Sequence, residues 1–511
     1  MKLAHPSLIA KIDAYAISAL GISEEALIRR AGEAVAAYVD ECVGSKHARI
    51  LVLCGGGNNG ADGYAAALSL LSRGYRVKAV DIFGKGQRSE GGRAVLDAYR
   101  EVLFEPLSFA EIENERPDVI IDAIFGTGFS GEIKGVASDI AAWVGRTGAR
   151  VFAVDVPLGV DAALGGVLPS AIRAEATVVL SFMKTGLLSY PAREYCGSLV
   201  LRDIGLDTPL VHKAFPELVD AVDDEYVRVH LPCRKEQSHK GSFGRAVLFV
   251  GSEKYPGAAA LAAEAALRAG VGLLTVASEK GIVRDALSRL PEALYCPHAP
   301  FSAWGERETM NALSSVCTAN AVLVGCGSGK SEGLCRFIYA LLETEGAPLV
   351  LDADAINSLA ERREESLQRI REARREVLLT PHPLEFCRLF GEDMADVQAN
   401  RMHACASHAK QYGVSLLLKG ARSVIATEDG VFVNTTGSSA LAKGGTGDVL
   451  AGLVTALLAE GASATEALRI GAYLHGRAAE RLAEELSEYG VLPSSLPCQI
   501  AKEINSCLKS K

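Results

Sequence analysis

Residues 49–62 read RILVLCGGGNNGAD, and this stretch decides the class of fold. The apolar run Arg49–Cys54 stops at glycines, and residues 61–74 then carry Ala, Leu and Tyr at helical spacing. Further apolar runs, again separated by helical patterns, follow at residues 75–81, 119–123 and 150–154. Continuous apolar strands that alternate with helices are typical of a parallel sheet covered on both faces. The sequence therefore predicts an α/β protein.

The chain is too long for one ordinary core, because 511 residues exceed the usual size of a single domain. Three prolines and an acidic cluster interrupt the alternating pattern at residues 207–235. A second series of apolar runs follows at residues 245–250, 271–276, 321–324, 349–351, 377–379 and 414–418. We expect two domains, residues 1–215 and 225–511, each a mainly parallel sheet flanked by helices.

The bulk composition excludes several classes of function. A formal net charge of −9 argues against a nucleic-acid-binding surface. No uninterrupted apolar stretch approaches the ~20 residues of a membrane span. Twelve cysteines with no C-x-x-C pair fit buried apolar roles in a reducing compartment. We expect a cytoplasmic homo-oligomer that acts on a small molecule and binds neither nucleic acid nor membrane.

The first glycine loop permits more than one interpretation. Gly55, Gly57 and Gly60 form G-x-G-x-x-G between a strand and a helix, and Asp81 ends the next strand. That spacing is typical of a dinucleotide-binding Rossmann loop. Taken alone, the motif suggests a dehydrogenase.

Polar side chains in and near this loop favour a different ligand. Asn58, Asn59 and Asp62 crowd the loop, whereas a phosphate-binding loop rarely has a carboxylate beside the anion. Amide and carboxylate oxygens suit a hard cation or the hydroxyls and amides of a polar ligand. Asp122 and Asp155 follow later strands, so the three loops that carry Asn59, Asp122 and Asp155 would meet at one edge of the sheet. The alternative is that these residues cap helices and fix turns.

The strongest motif of the chain is KGGTGD at residues 443–448. Gly444, Gly445 and Gly447 precede an apolar helix, and bare N–H groups at a helix start form an anion-binding site. Asp448 can act there as a base towards a hydroxyl. The alternative is an aspartate that only stabilises the helix N-terminus, which leaves the three glycines unexplained.

Other segments of the second half suit a phosphate-handling site. Residues 419–423, KGARS, supply two cations after a strand, and the glycines of GCGSG at 325–329 end another strand. His382 lies between two prolines and can orient a ligand or form a structural hydrogen bond. Asp352 and Asp354 lie at the end of a further strand, where they either support the residues that contact the ligand or form a turn.

These motifs resemble those of one family. GGGNNGADG, DAIFGTGFSGE, VDVPLGVD and the opening helix DAYAISALGISEEALIRRAGEAV are similar to the epimerase domain of NAD(P)H-hydrate repair enzymes, over about residues 10–205. HKGSFG, GSEKYPGAA, DADAINSLA, TPHPLEF, LLLKGARSVI and ALAKGGTGDVL resemble the dehydratase domain of the same enzymes, over about residues 235–505. The resemblance implies a Rossmann-like first domain and a ribokinase-like second domain.

For the first half, the resemblance implies an epimerase that interconverts R and S hydrates of NADH and NADPH. The implied substrate contacts are Asn58, Asn59, Gly60, Ala61, Asp62, Gly126, Thr127, Gly128, Phe129, Ser130, Gly131 and Glu132. Asp155 would contact the substrate and act as acid and base at the reacting carbon, with Lys184 near the ligand. Asn59, Asp122 and the residue at position 158, here Leu158, would ligate K⁺.

For the second half, the resemblance implies ADP-dependent dehydration of the S hydrate to NAD(P)H, which yields AMP and phosphate. The implied ADP contacts are Lys419, Gly420, Ala421, Arg422, Ser423 and Gly447. The implied contacts to the hydrate are Ala258, Gly325, Gly327, His382 and Asp448. Asp448 would assist loss of the C6 hydroxyl, and Mg²⁺ would bridge the phosphates.

The chain departs from the family pattern at five positions. Ala61 replaces a glycine, at a cost of about 1 kcal/mol if the position requires a left-handed backbone. Leu158 replaces a serine and removes a side-chain oxygen, so we expect weakened K⁺ dependence. Cys326 and Ser328 alter the G-P-G-L-G loop. Leu384 replaces the glycine of H-P-G-E, and we expect it to narrow the pocket.

A rival function remains open at this point. The second half would also suit a small-molecule kinase of the ribokinase-like superfamily, with a first half that binds a ligand without catalysis. A stable phosphorylated product would favour the kinase, whereas phosphate and a dehydrated product favour the repair enzyme. The polar residues in the first glycine loop disfavour the dehydrogenase.

Overall fold

A computed structural model of the chain describes residues 1–83, 88–103, 105–113, 115–128, 133–188, 190–282 and 290–509. The chain forms two compact units, Met1–Val219 and Asp220–Lys511. Each unit contains a mainly parallel sheet with helices, which confirms the predicted α/β class. The division falls within the proline-containing stretch 207–235.

The first unit has a six-stranded parallel sheet among its described residues. The described strands of the unit, six of which form this sheet, are β1 (Lys2–Ala4), β2 (Arg49–Cys54), β3 (Arg76–Asp81), β4 (Val119–Ala123), β5 (Arg150–Val154), β6 (Ala176–Leu180), β7 (Met183–Lys184) and β8 (Ser198–Arg202). Its helices are α1 (Pro6–Ser18), α2 (Glu24–Val43), α3 (Asn58–Ser72), α4 (Glu90–Leu103), α5 (Val136–Thr147) and α6 (Pro209–Ala214). The order of the main sheet is β3-β2-β4-β5-β6-β8, and β1 pairs with β7 separately.

Helices cover both faces of this sheet. Alternate residues of β2 point to opposite faces, so Ile50 and Val52 pack in one apolar cluster and Leu51 and Leu53 in another. The first cluster includes residues of α2 and α3, and the second includes Trp143 of α5. Burial of both faces explains why the strands appear in the sequence as continuous apolar runs.

The glycines after β2 are required by close backbone approach. A Cβ atom at Gly55 would lie 1.8 Å from the carbonyl oxygen of Ile124, and one at Gly60 would lie 2.0 Å from that of Gly55. The ends of β2 and β4 therefore come together because Gly55 has no side chain, and the start of α3 approaches the same loop because Gly60 has none. This contact explains two glycines of the G-x-G-x-x-G pattern without a dinucleotide.

The second unit has a ten-stranded sheet among its described residues. Its strands are β9 (Val219–Val222), β10 (Arg245–Phe249), β11 (Leu273–Glu279), β12 (Leu294–His298), β13 (Ala321–Val324), β14 (Leu349–Leu351), β15 (Val377–Leu379), β16 (Ser415–Leu418), β17 (Val424–Thr427) and β18 (Gly430–Asn434). The order is β12-β11-β10-β13-β14-β15-β16-β17-β18-β9. Strands β12 to β16 are parallel, and β17 is antiparallel to both of its neighbours.

The helices of the second unit cover this sheet. They are α7 (Asp224–His230), α8 (Pro256–Ala269), α9 (Glu306–Val316), α10 (Glu332–Glu343), α11 (Asp354–Ala360), α12 (Arg363–Arg371), α13 (Pro383–Phe390), α14 (Met394–Ala399), α15 (Arg401–Tyr412), α16 (Thr446–Ala459), α17 (Ala464–Gly490) and α18 (Leu496–Lys509). All residues of α16 from Val449 to Ala459 are buried. Helix α16 therefore begins at the surface and continues into the core.

Helices α16 and α8 pack unusually closely because small residues face each other. A Cβ atom at Gly452 of α16 would lie 2.1 Å from the carbonyl oxygen of Ala262 in α8. The facing side of α8 consists largely of alanines, among them Ala259, Ala263 and Ala266. This contact fixes the position of α16 relative to the sheet.

We predict that Gly452→Ala lowers the free energy of unfolding by about 1–3 kcal/mol, the usual cost of overpacking a core. Chemical denaturation followed by circular dichroism measures the change. Gly257→Ala is the matched control, because a Cβ atom there meets no atom within 4 Å. Equal losses of stability in the two variants would contradict the proposed contact.

Candidate active sites

The first unit contains a cavity of about 650 Å³ at the carboxyl ends of its strands. Of the residues predicted from the sequence, those that line it are Asn58, Asn59, Asp62, Gly126, Thr127, Gly128, Asp155 and Lys184. Gly60 and Ala61 lie behind the lining in α3, and residues 129–132 lie outside the described part of the chain. Side chains of α1 and α2 form the opposite wall.

Asp155 and Lys184 form a buried ion pair at the base of this cavity. The carboxylate of Asp155 accepts an N–H from Leu180 at 3.0 Å and contacts Lys184 Nζ, which also donates to the Leu180 carbonyl at 3.0 Å. Lys184 is only 1% exposed. The backbone of Asp155 has a φ of 64°, a left-handed conformation that is strained for a residue with a side chain. The surrounding structure therefore fixes this carboxylate in one orientation.

Two further carboxyl groups line the cavity beside this pair. Burial raises the pKa of Asp62 well above its usual range, and the charges of Asp155 and Asp13 raise it further. Burial also raises the pKa of Asp13 to about 6, against the lowering effect of Lys184. One lysine thus faces three carboxyl groups, and the pKa values of two of them, Asp13 and Asp62, are raised.

Asp13 is a site residue that the sequence motifs did not predict. It lies in α1 between Ile9 and Ile17, and all three residues line the cavity. A spacing of four residues places them on one face of the helix. The available signal was therefore a single carboxylate within an apolar helical stripe.

The three positions predicted to ligate K⁺ have defined surroundings. Asp122 is fully buried, and its two oxygens accept N–H groups from Leu158 at 2.7 Å and Ile124 at 3.2 Å. Burial raises the pKa of Asp122 to about 6, and these hydrogen bonds oppose the rise. The amide nitrogen of Asn59 donates to the carbonyl of Phe125 at 2.9 Å, which leaves its oxygen as an acceptor.

The side chain at position 158 does not resemble that of a cation ligand. Leu158 is fully buried in an apolar cluster, and its carbonyl accepts an N–H from Ile172 at 2.9 Å. Asn59 and Asp122 keep oxygen lone pairs that suit a hard cation, whereas Leu158 adds no side-chain oxygen.

Ala61 does not pay the energetic cost of a left-handed backbone conformation, which the sequence had left open. It lies within α3 and is buried, and it is not among the residues with positive φ. A helical backbone accommodates alanine better than glycine.

The second unit contains a cavity of about 390 Å³ at the start of α16. Its lining residues are Asp352, Ala353, His382, Pro383, Glu385, Lys419, Gly420, Leu441, Lys443, Gly445, Thr446, Gly447 and Asp448. The sequence motifs around KGGTGD, KGARS and TPHP therefore meet at one place.

Asp352 lies at the centre of the charged groups in this cavity. Its carboxylate is 2.7 Å from Lys419 Nζ and accepts a hydrogen bond from Thr380 at 2.9 Å. The ligand atoms of Cys326, Asp352 and Asp448 all lie within 4.8 Å of one another. Burial raises the pKa of Asp448 to about 6, and the charge of Asp352 adds to the rise. Asp448 can therefore exchange a proton near neutral pH.

The glycine loop presents the start of α16 to the cavity. Gly445 has a φ of 101°, and the next residue, Thr446, begins the helix. N–H groups in the first turn of a helix have no carbonyl partner within the helix, so those of Gly447 and Asp448 can bind an anion. Lys443 does not extend its amine to such an anion, because Nζ donates to two carbonyls of residues 489 and 491 at 2.6 and 2.5 Å.

The loop 419–423 is held by a partly buried arginine that the sequence did not reveal. The guanidinium of Arg401 donates to the carbonyls of Leu418, Lys419 and Ala421 at 3.0–3.1 Å. Gly420, with a φ of 156°, leaves room for it, because a Cβ atom there would lie 2.5 Å from Arg401 Nη2. Lys419 and Gly420 line the cavity, whereas Ala421, Arg422 and Ser423 lie outside its lining.

His382 has a structural role as well as a place in the cavity wall. Its Nδ1 accepts N–H groups from Leu384 at 3.1 Å and Glu385 at 3.3 Å, and thereby caps α13. Burial, with a smaller effect of Lys419, lowers the pKa of His382, so the ring stays neutral. Leu384 is 44% exposed and is not among the lining residues, so the expected narrowing of the pocket is wrong.

Gly325, Gly327 and Ala258 were predicted as substrate contacts, but none of them is among the cavity-lining residues. A Cβ atom at Gly325 would lie 2.0 Å from the carbonyl oxygen of Asp352. A Cβ atom at Gly327 would lie 2.7 Å from the Cβ atom of Ala258. In the structure these small residues allow the end of β13 to approach its neighbours.

None of the helices in the described ranges has both the length and the apolar character needed to cross a membrane.

Comparison with known proteins assigns both units. A family model described as YjeF-related protein N-terminus matches residues 24–186, and one described as NAD(P)H-hydrate dehydratase matches residues 246–502. Among solved structures, the ADP/ATP-dependent NAD(P)H-hydrate dehydratase from Bacillus subtilis is 33% identical, with a TM-score of 0.49. That match covers 56% of this chain and 98% of the other.

Curated relatives match along almost the whole chain. The bifunctional NAD(P)H-hydrate repair enzyme Nnr of Thermofilum pendens is 33% identical, over 99% of this chain and 97% of its own. Those of Coxiella burnetii and Escherichia coli are 35% and 31% identical, over 93% and 96% of this chain and 94% and 91% of their own lengths. The family predicted from the motifs is thus confirmed, and the chain belongs to the bifunctional NAD(P)H-hydrate repair enzymes.

Proposed function

We propose that the first unit interconverts the R and S hydrates of NADH and NADPH, and that the second dehydrates the S hydrate with ADP. The products of the second reaction are NAD(P)H, AMP and phosphate. Family membership supports both activities. The observation that carries the second is the position of Asp448, a carboxyl with a pKa of about 6, beside Lys419 and the first turn of α16.

The second cavity suits the transfer of a phosphoryl group to a hydroxyl. The first-turn N–H groups of α16 and the cation of Lys419 would bind phosphates. Asp448 would take the proton of the C6 hydroxyl as the hydroxyl oxygen attacks the terminal phosphorus of ADP, and the bond from that phosphorus to the bridging oxygen would break to release AMP. Phosphate is a better leaving group than hydroxide. It would depart with the C6–O electron pair, and loss of the C5 proton would restore the ring double bond.

Mg²⁺ would enter this site with the nucleotide, where it would neutralise charge on the phosphates. The cluster of Cys326, Asp352 and Asp448 does not suit Mg²⁺ as a resident ion. Mg²⁺ prefers oxygen ligands in octahedral geometry, whereas one member is a thiol and Asp352 is already paired with Lys419.

The first cavity suits acid and base chemistry at one carbon. The carboxylate of Asp155, fixed by Lys184, would act at C6 of the hydrate. Asn58, Asn59, Asp62 and residues 126–132 would contact the substrate, and Asn59 and Asp122 would hold K⁺ through oxygen atoms. A cytoplasmic location and a homo-oligomeric state stay predictions from the sequence.

We predict that Asp448→Asn lowers the dehydratase rate by about 10²–10⁴, the range for loss of a general acid or base. Chromatography of mixed hydrates incubated with ADP and Mg²⁺ measures NAD(P)H, AMP and phosphate. Asp396→Asn is the matched control, because Asp396 is exposed on α14 and does not line the cavity. Full dehydratase activity of Asp448→Asn would refute the role, and a stable phosphorylated product would favour the small-molecule kinase.

We predict that the dehydratase rate rises with pH through about 6, because Asp448 acts as a base only when it is ionised. Below that pH the carboxyl is protonated and the rate falls. Lys419→Met removes a cation that lowers the pKa of Asp448, so the rise should move to higher pH. Dehydratase rates of both chains, measured at saturating ADP in a series of buffers between pH 5 and 8, test this prediction. An unmoved profile in the variant would speak against the coupling.

We predict weak dependence of the epimerase on K⁺, because Leu158 supplies no side-chain oxygen. Titration of the epimerase rate against K⁺ at constant ionic strength measures this dependence. Leu158→Ser should strengthen activation by K⁺, with the dehydratase rate of the same chain as a control for folding. Tight, saturable activation of the wild-type chain would contradict the prediction.

A further inference from the structure

The first cavity contains a carboxyl group that the proposed function does not use. Asp13 belongs to α1, whereas Asp62 belongs to α3 and Asp155 follows β5. Its neighbours on the same helical face, Ile9 and Ile17, are apolar and also line the cavity. A carboxyl group in an apolar helical stripe is costly to bury, so its presence needs an explanation.

The charged groups around Asp13 do not neutralise it. Among the described residues that line the cavity, the charged ones are Asp13, Glu24, Asp62, Asp155 and Lys184. Lys184 is paired with Asp155, and Glu24 accepts hydrogen bonds from a backbone N–H of α4 at 3.1 Å and from a loop amide at 3.4 Å. Within the described ranges, Asp13 has no ion pair or hydrogen bond of this kind.

We infer that Asp13 is a second catalytic acid and base of the epimerase reaction, on a different element of the same cavity from Asp155. The inference rests on the proposed function of the first unit. Two carboxyl groups on different elements would allow a hydroxyl to leave one face of a ring carbon and return to the other. One group would hold the proton that the departing oxygen needs, and the other would be ready to accept a proton.

Epimerisation breaks the C6–O bond and forms it again on the other face of the ring. The ring nitrogen lone pair forms a C=N bond to C6 as the C6–O bond breaks, and the Asp13 carboxyl gives its proton to the oxygen, which leaves as water. Water then attacks the opposite face of C6. The C=N electron pair returns to nitrogen, and the Asp155 carboxylate accepts the proton that is released. In the opposite direction the two carboxyl groups exchange roles, and solvent returns the proton between turnovers.

The electrostatics of the cavity support different roles for Asp13 and Asp62. Burial raises the pKa of Asp13 to about 6, Lys184 lowers it, and Asp155 and Glu24 raise it. A group with such a pKa both gives and takes protons near neutral pH. Burial raises the pKa of Asp62 well above its usual range, and the charges of Asp155 and Asp13 add to the rise.

The test is the rate of R and S interconversion in Asp13→Asn, corrected for the uncatalysed rate. We expect a decrease of about 10²-fold or more. The dehydratase rate on purified S hydrate, measured on the same protein, should stay unchanged, as should equilibrium binding of the hydrates. Asp139→Asn is the matched control, because Asp139 is exposed on α5 and does not line the cavity.

A pH series adds a readout that a purely structural role would not affect. In the wild-type chain, interconversion of the R and S hydrates should slow as the pH rises above about 6, because fewer Asp13 carboxyl groups then hold the proton that the step needs. Asp13→Asn should lose that dependence, and Asp13→Glu should recover part of the rate together with a pH-dependent limb. The glutamate variant also keeps the test valid if the asparagine variant does not fold.

The outcomes separate the two proposals. A wild-type chain that does not interconvert the hydrates would overturn the proposed epimerase function. A wild-type chain that does so, with an unchanged rate in Asp13→Asn, would overturn the assignment of Asp13. Loss of hydrate binding in Asp13→Asn would make Asp13 a binding residue and would also overturn its catalytic role.

Discussion

A lysine that pairs with a buried aspartate organises each of the two cavities. In the first unit Lys184 holds Asp155, and in the second unit Lys419 holds Asp352. Removing a charge from water is costly unless an opposite charge and hydrogen bonds replace the solvent. Each pair meets this condition, because backbone N–H or hydroxyl groups donate to each aspartate. The fold therefore places one fixed dipole at the base of each cavity, and the other polar groups adjust to it.

The same arrangement leaves a further carboxyl group without a dedicated cation. Asp13 in the first cavity and Asp448 in the second both have a pKa of about 6, and burial is the main cause in each. Each of the two sheets thus places a permanently charged pair beside a carboxyl group that exchanges its proton. Both proposed reactions move a proton to or from an oxygen on one ring carbon, and this arrangement suits both.

The sequence was sufficient for the α/β class and the family, because apolar runs and glycine motifs are local patterns. It was insufficient for groups that meet across the chain. Asp352 acquires its central position only when β14 brings it beside Lys419, and the carboxyl of Asp13 matters only because α1 closes the cavity. Lys443 begins the KGGTGD motif, yet its amine donates to two backbone carbonyls. Leu384 points to the surface, which a motif comparison does not reveal.

The close packing of α16 on α8 constrains how the specificity of the second unit can evolve. Beyond its first turn, every residue of α16 is buried, and Gly452 leaves no space for adjustment. The amide groups at its start therefore have one fixed direction, whatever molecule they bind. The turn at residues 419–423 accepts hydrogen bonds from the guanidinium of Arg401 and includes residues outside the cavity wall. A change of nucleotide preference would thus require remodelling of this turn, because the helix has no room to move.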